Sequence, residues 1–347
     1  MKQFRARVAS RGLTRRLGGG GGGAYVFAGV VTAFAGNGSG AADVNGTGAA
    51  AGFKLPLSIA TNAATGLMYI GLSSAIRTLT PDGVAASFVG GSVGANNGQG
   101  AAAQFYFVNG ITVLPSGIIA AVGAGGGLSH DVRIITAGGL VSRLAGGNAT
   151  GAYLDSATGT SAQFNSPTGI VFDSTRSVLY VADRLNHRIR QVTYPGGAVT
   201  TLAGNGTYSA FHIASGVGTS GLIPAPYGIT INSTSTILYI AGNNHIASIV
   251  ISTGVITRIA GNYQSGNVNQ PGADARFNGL RHIYIDPTDT VLYVAEYDNS
   301  AVRKIIIATG VVSTLATVTS AESITMSADA KKMYVTDRTN NNIVLIT

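Results

Sequence analysis

The sequence predicts an all-β fold: a six-bladed β-propeller of four-stranded antiparallel blades, closed by pairing the N-terminal strand onto the last blade. Three observations predict it. An eight-residue pattern returns six times in one phase along the 347 residues. Each repeat holds several short apolar, β-branched runs separated by turn residues, the signature of strands. The last repeat is one strand short, and a spare copy of the missing strand stands near the N-terminus.

The pattern runs from Gly through small and apolar residues to Ala-Gly. It occurs at residues 29–36, 83–90, 139–146, 197–204 and 254–261, the second copy ending Val89-Gly90, and a sixth copy at 310–317 loses the final Gly. Successive copies start 54, 56, 58, 57 and 56 residues apart, a period that belongs to repeat architectures. A second pattern, Gly-x-x-Ala-x-Phe, follows four of the first five copies and ends at Phe53, Phe105, Phe164 and Phe277; a weaker version ends at Ile223. A short apolar strand comes next, then a strand built on Tyr69, Tyr180, Tyr239, Tyr293 or Tyr334, then a third strand such as residues 189–192. Four strands per repeat make a propeller blade. Phe and Tyr at fixed phase read as packing between neighbouring blades. Residues 29–36 supply the fourth strand of the sixth blade, which removes exposed edges.

Composition agrees. Hydrophobic residues make up 45% of the chain and charged residues 10%, with 50 glycines and no cysteine. That excludes a disordered chain, a disulfide framework, a thiolate metal site and a Cys nucleophile. The net charge of +8 is mostly a property of the N-terminus. Lys2, Arg5, Arg7, Arg11, Arg15 and Arg16 stand there with no acid, which leaves 16 basic and 14 acidic residues for the rest. A nearly neutral body shows little of the basic face that nucleic-acid binding requires. No apolar run is long enough to span a membrane. Residues 1–23, which end in a hexaglycine run, read as a disordered basic tail and linker, with the propeller over 24–347. The N-terminus also resembles a signal peptide, with Ala33-Phe34-Ala35 as a cleavage site, or an Arg-rich mitochondrial transit segment. Sequons at Asn37, Asn45, Asn148, Asn205 and Asn232 permit secretion without requiring it. An extracellular or cell-surface location is slightly favoured; mitochondrial and cytoplasmic ones stay open.

The segment Leu179-Tyr180-Val181-Ala182-Asp183, followed by Asn186-His187 and Arg188-Ile189-Arg190-Gln191-Val192, resembles the NHL repeat, named for an Asn-His-Leu triplet in which Arg188 here replaces the Leu. Residues 294–305 and 335–343 are looser copies. The resemblance covers about residues 27–347 and implies a six-bladed ring that offers one face of loops to a partner.

Candidate site residues follow from the repeat. His130, His187 and His245 start the third strands of successive blades, too far apart on a ring to share a metal, and His212 falls in a loop. Arg77, Arg133, Arg190 and Arg303 share one phase on the third strand, and Asp183, Glu296 and Asp337 end second strands. These residues read as ties between hairpins and blades, with a basic stripe for RNA as the functional alternative. Just before the innermost strands stand six equivalent residues: Leu57, Asn109, Thr168, Tyr227, Arg281 and Glu322. The next position holds Ser58, Gly110, Gly169, Gly228, His282 and Ser323. Six strands converge at the mouth of the central channel, and function is added there as unrepeated polar residues. Asn109, Tyr227, Arg281, His282 and Glu322 are therefore the candidate ligand-binding residues, set against the plain reading that any channel mouth is wet and tolerates polar side chains.

A non-catalytic binding or scaffold module for a protein or glycan partner is the favoured function, with no metal or other cofactor expected. Two enzymatic propeller classes set the alternative. A zinc lyase needs several inward His ligands, and only His282 lies at that level. A lactonase-like site needs a Glu, Asn and Asp cluster on a divalent ion, and Arg281 disfavours one. RNA binding, known for some NHL propellers, stays weakly supported.

Overall fold

The structure, a computed structural model, describes residues 26–125, 129–147, 149–208, 215–242 and 244–347. The expected tail and linker, His212 and the sequon at Asn148 lie outside the described residues. Six antiparallel sheets follow one another along the chain. From the axis outward, blade 1 is Ser58–Thr61, Met68–Gly71, Ala75–Leu79 and Val84–Gly90. Blade 2 is Val108–Val113, Ile119–Gly125, Ser129–Ile135 and Leu140–Gly146. Blade 3 is Pro167–Asp173, Val178–Asp183, Arg188–Thr193 and Val199–Ala203. Blade 4 is Pro226–Ile231, Ile237–Gly242, His245–Val250 and Val255–Gly261. Blade 5 is Leu280–Ile285, Val291–Glu296, Ala301–Ile306 and Val312–Thr317. Blade 6 takes Ala321–Met326, Met333–Asp337 and Asn342–Ile346 from the end of the chain and Val31–Ala35 from its beginning.

The ring closes in blade 6, where Val31 pairs with Ile346, Thr32 with Leu345, Ala33 with Val344 and Ala35 with Ile343. Innermost strands pack on innermost strands all the way round, the last against the first. Blades 1, 2 and 4 carry a fifth, two-residue strand: Gly46–Thr47, Gly98–Gln99 and Gly216–Val217. Each pairs with the outermost strand of its own blade. The repeat pattern predicts four strands because these segments are Gly-rich loop sequence. Their pairing comes from the loop folding back along the outer edge, which it covers.

Six hydrophobic cores fill the spaces between neighbouring blades. The Tyr of one blade meets the Phe of the next: Tyr334 with Phe53, Tyr69 with Phe105, and Tyr239 with Phe277. Blade 5 has no long loop ahead of blade 6, and there Phe27 packs edge-on to Tyr293 at 5.7 Å.

The recurring arginines are buried in the blades. Arg77, Arg133, Arg190 and Arg303 are 0–3% exposed. Each lies over the Phe of its own loop, at 5.7 Å from Phe53, 4.7 Å from Phe105, 5.0 Å from Phe164 and 5.0 Å from Phe277. Each donates to the carbonyl of the residue just before that Phe. A second set of bonds reaches Asn45 (2.6 Å), Asn97 (2.9 Å), Asp155 (2.6 Å) or Asn269 (2.6 Å) in the same loop. Arg190 and Arg303 also pair with Asp183 and Glu296, both at 2.7 Å with no exposure on either side. The guanidinium thus clamps the long inter-blade loop to the blade it precedes. Blade 4 confirms the logic: Ala247 pairs with Ile240 as Arg190 pairs with Val181, and the loop there ends in Ile223 instead of Phe. A buried stripe of this kind is closed to RNA.

Two outcomes are expected. A chain starting at Gly36 leaves blade 6 with three strands; its melting midpoint should fall by about 5 °C or more and its light scattering should rise. An unchanged melting curve would show the closing strand to be dispensable. Arg190→Leu strands the buried Asp183 carboxylate and should cost about 3–5 kcal/mol in chemical denaturation, with much of it recovered on adding Asp183→Leu. A loss under about 1 kcal/mol for the single change would refute the clamp.

Candidate functional site at the channel mouth

A repeated turn delivers one side chain per blade to the axis. Two residues ahead of each mouth position the backbone is left-handed: Leu55 (φ 53°), Phe107 (47°), Ser166 (51°), Ala225 (43°), Gly279 (70°) and Ser320 (50°). Non-glycine residues adopt this region at a cost of about 1–2 kcal/mol each. Five of the innermost strands then break register with the second strand, between Val108 and Gly110, Pro167 and Ile170, Pro226 and Gly228, Leu280 and Ile283, and Ala321 and Ser323. Each break skips the mouth residue, and in blades 3 and 5 it also skips the residue after it, Gly169 or His282. A bulge frees them from the ladder and re-aims their side chains.

Tyr227, Arg281 and Glu322 come together. The Tyr227 hydroxyl donates to Glu322 Oε1 at 3.1 Å, across the blade that carries Arg281. Arg281 Nε lies 3.9 Å from Glu322 Oε2, and Arg338 Nη1 lies 3.5 Å from the same oxygen. Glu322 is 3% exposed. Burial raises its carboxyl above the usual range, and Arg281 and Arg338 oppose that rise. Burial, reinforced by the Glu322 charge, also raises the Tyr227 phenol, which stays protonated as a donor. The Arg281 guanidinium is held between Tyr227 at 4.8 Å and Tyr297 at 4.9 Å. Arg184 lies over Tyr227 at 5.2 Å, and Arg338 over Tyr297 at 5.7 Å. A cavity of about 560 Å³ opens beside this cluster, lined by residues that include Arg184, His187, Tyr227, Asn244, Arg281 and Asp298.

Asn109 and His282 do not join the cluster. Asn109 Nδ2 donates across the blade boundary to the Pro167 carbonyl at 3.5 Å. His282 lines a separate cavity of about 330 Å³ further along the channel, with Thr61, Thr112, Thr230, Tyr284 and Thr325. Its Nδ1 accepts the Ile324 N–H at 3.3 Å, and burial lowers its pKa to about 4. The other residues at its level explain themselves by close approach. A Cβ on Gly110, Gly169 or Gly228 would meet the carbonyl of Thr168, Tyr227 or Arg281 on the next blade. Where a side chain stands instead, it bonds across: Ser58 Oγ to the Val108 carbonyl, and the Ile59 N–H to Ser323 Oγ. The motif histidines also tie blades. His130 and His187 Nδ1 accept the N–H of Ser166 and Ala225, both at 3.0 Å.

Sequence reasoning missed Arg184, Tyr297 and Arg338. A signal was there: each directly follows an acid that ends a second strand, at Asp183, Glu296 and Asp337. That position is repeat-equivalent, and three of its occupants reach the mouth.

The fold and this mouth define a six-bladed β-propeller, and the comparisons agree. The chain superposes on the crystal structure of an auxiliary nutrient binding protein from Bacteroides thetaiotaomicron with a TM-score of 0.69 at 13% identity, over 91% of this chain and 76% of that one. NHL repeat-containing protein 2 of Homo sapiens is 36% identical over 88 residues, 25% of this chain and 12% of that protein. Protein SUPPRESSOR OF QUENCHING 1, chloroplastic, of Arabidopsis thaliana is 30% identical over 155 residues, 43% of this chain and 14% of that protein. No protein-family model matches. The chain is an NHL-type six-bladed β-propeller.

One pH dependence follows from His282. Its folded pKa of about 4 lies below the ordinary 6.5, so the unfolded chain takes up the proton first and stability is lost as pH falls from about 6.5 to about 4. His282→Gln should lose less over that window, by at most about 3 kcal/mol. Parallel pH profiles for parent and variant would contradict this assignment.

Proposed function

We propose that this chain is a non-catalytic binding module that presents its channel mouth and the surrounding loop face to a protein or glycan partner. The observation that carries this reading is the engagement of Glu322. It is the one acid of the mouth ring, and a hydroxyl and two guanidinium groups surround it. A lactonase-type site would need that carboxylate turned to a divalent ion beside further oxygen ligands. Here Arg281 would repel the cation. A lyase-type site would need several inward His ligands, whereas His130 and His187 each accept a backbone N–H on Nδ1 and so carry their proton on Nε2. Among the described residues, no group of three or more His, Asp or Glu could hold a metal ion. Exposed apolar surface rims the mouth instead: Leu185 and Tyr208 are 46% and 56% exposed and line the 560 Å³ cavity.

The test is a thermal-shift screen of the full chain with sugars, peptides, short RNA and divalent ions, beside Arg281→Ala/Glu322→Ala and an assay for lactone hydrolysis. Stabilisation by a sugar or peptide, absent in the double variant, is expected, since a ligand that binds only the native state raises its melting temperature. Calcium-dependent lactone turnover abolished by Glu322→Gln would overturn the proposal. Stabilisation by RNA alone, falling steeply with salt, would also overturn it.

A further inference from the structure

We infer that the channel mouth holds an oxyanion carried on a polar, sugar-sized molecule, a sugar acid or a sugar phosphate; the inference rests on the binding reading above and names its ligand class. Three guanidinium groups converge there from separate elements: Arg184 and Arg338 from the turns after second strands of blades 3 and 6, and Arg281 from the innermost strand of blade 5. Glu322 is the acid within ion-pair reach of Arg281 and Arg338, at 3.9 and 3.5 Å. Both are long for a charge-assisted hydrogen bond, which runs about 2.7–2.9 Å. Buried Arg281 Nε and Glu322 Oε2 have no hydrogen-bond partner among the described residues, and no carboxylate there pairs with Arg184. Of the charged groups that line the cavity, Arg184 and Arg281 are positive and Asp298 is negative, while Arg338 and Glu322 pair outside that lining.

The way these cations are held decides what they can do. Arg184 and Arg281 both rest on the Tyr227 ring, and Arg281 is also backed by Tyr297. The guanidinium fork of N–H groups matches a carboxylate or phosphate, and the rings hold both cations beside the cavity that Arg184 and Arg281 line. Arg338 does not line the cavity; it shares Glu322 and Tyr297 with Arg281 and so leaves Arg281 less committed to its acid. The cavity is far larger than a bare ion needs. Asn244, Asn278, His187 and Asp298 give its walls donors and acceptors suited to hydroxyl groups.

The experiment is isothermal titration of the full chain at low salt with glucuronate, glucose 6-phosphate and uncharged glucose, repeated on Arg184→Ala. Arg184 supports no buried acid, so this variant should melt with the parent. Saturable binding of glucuronate or glucose 6-phosphate is expected, at least tenfold tighter than glucose and at least tenfold weaker in Arg184→Ala; which acid binds identifies carboxylate or phosphate. Equal affinity for glucose, unchanged affinity in Arg184→Ala, or no binding of either acid would overturn the inference. Any of these three, with stabilisation by a neutral sugar or peptide retained, leaves the binding module standing, whereas calcium-dependent lactone turnover removes both.

Discussion

Each blade of this ring is apolar on both faces, and only another blade can cover them. The second strands show the constraint most sharply: Val291–Glu296 and Met333–Asp337 are buried along their whole length. A sheet buried on both sides has no stable existence alone, because its apolar area leaves water only when neighbours stack against it. Six interfaces supply that burial, and the last exists only because the final blade meets the first. Hence the importance of four ladder pairs in blade 6: they complete a blade and with it two interfaces. The buried arginines answer a related problem. Long Gly-rich loops have little apolar surface of their own, so a cation resting on Phe and bonded to loop carbonyls fixes them where side-chain packing cannot.

The architecture was legible in the sequence because it repeats. Gly at turns, Tyr on second strands and Phe in the loops each perform one job at several interfaces, so their spacing reports the ring directly. The closing strand was legible for the same reason: residues 29–36 match their five counterparts. The candidate site was partly legible. Aligning the innermost strands brings Tyr227, Arg281 and Glu322 into one ring of positions, and the structure brings them into one cluster. Asn109 and His282 share that alignment yet point their chemistry elsewhere, at the Pro167 carbonyl and the Ile324 N–H. Equivalence along the chain fixes height and radius but not side-chain direction, which the bulges set.

A repeated turn thus serves an unrepeated purpose. The same left-handed residue and the same register break recur in blade after blade, while the side chain they deliver changes from Asn109 to Thr168, Tyr227, Arg281 and Glu322. The scaffold holds its symmetry in the backbone and gives it up in the side chains of one ring. Three further residues reach the mouth from loops after the second strands, so the site draws on two rings of positions.

The closing pair also governs how the ring would respond to being pulled. Val30 and Thr347 exchange hydrogen bonds with each other, so the chain enters the strand Val31–Ala35 and leaves the strand Asn342–Ile346 side by side at one end of blade 6. Tension between those two points would act across the ladder, not along it. The pairs Val31 with Ile346, Thr32 with Leu345 and Ala33 with Val344 would open in succession like a zip, each bearing the load alone. Such a geometry yields at low force, and it would release the outer strand of one blade while the other five remained unloaded. Held at those two points, the ring has a built-in weak link at its own seam.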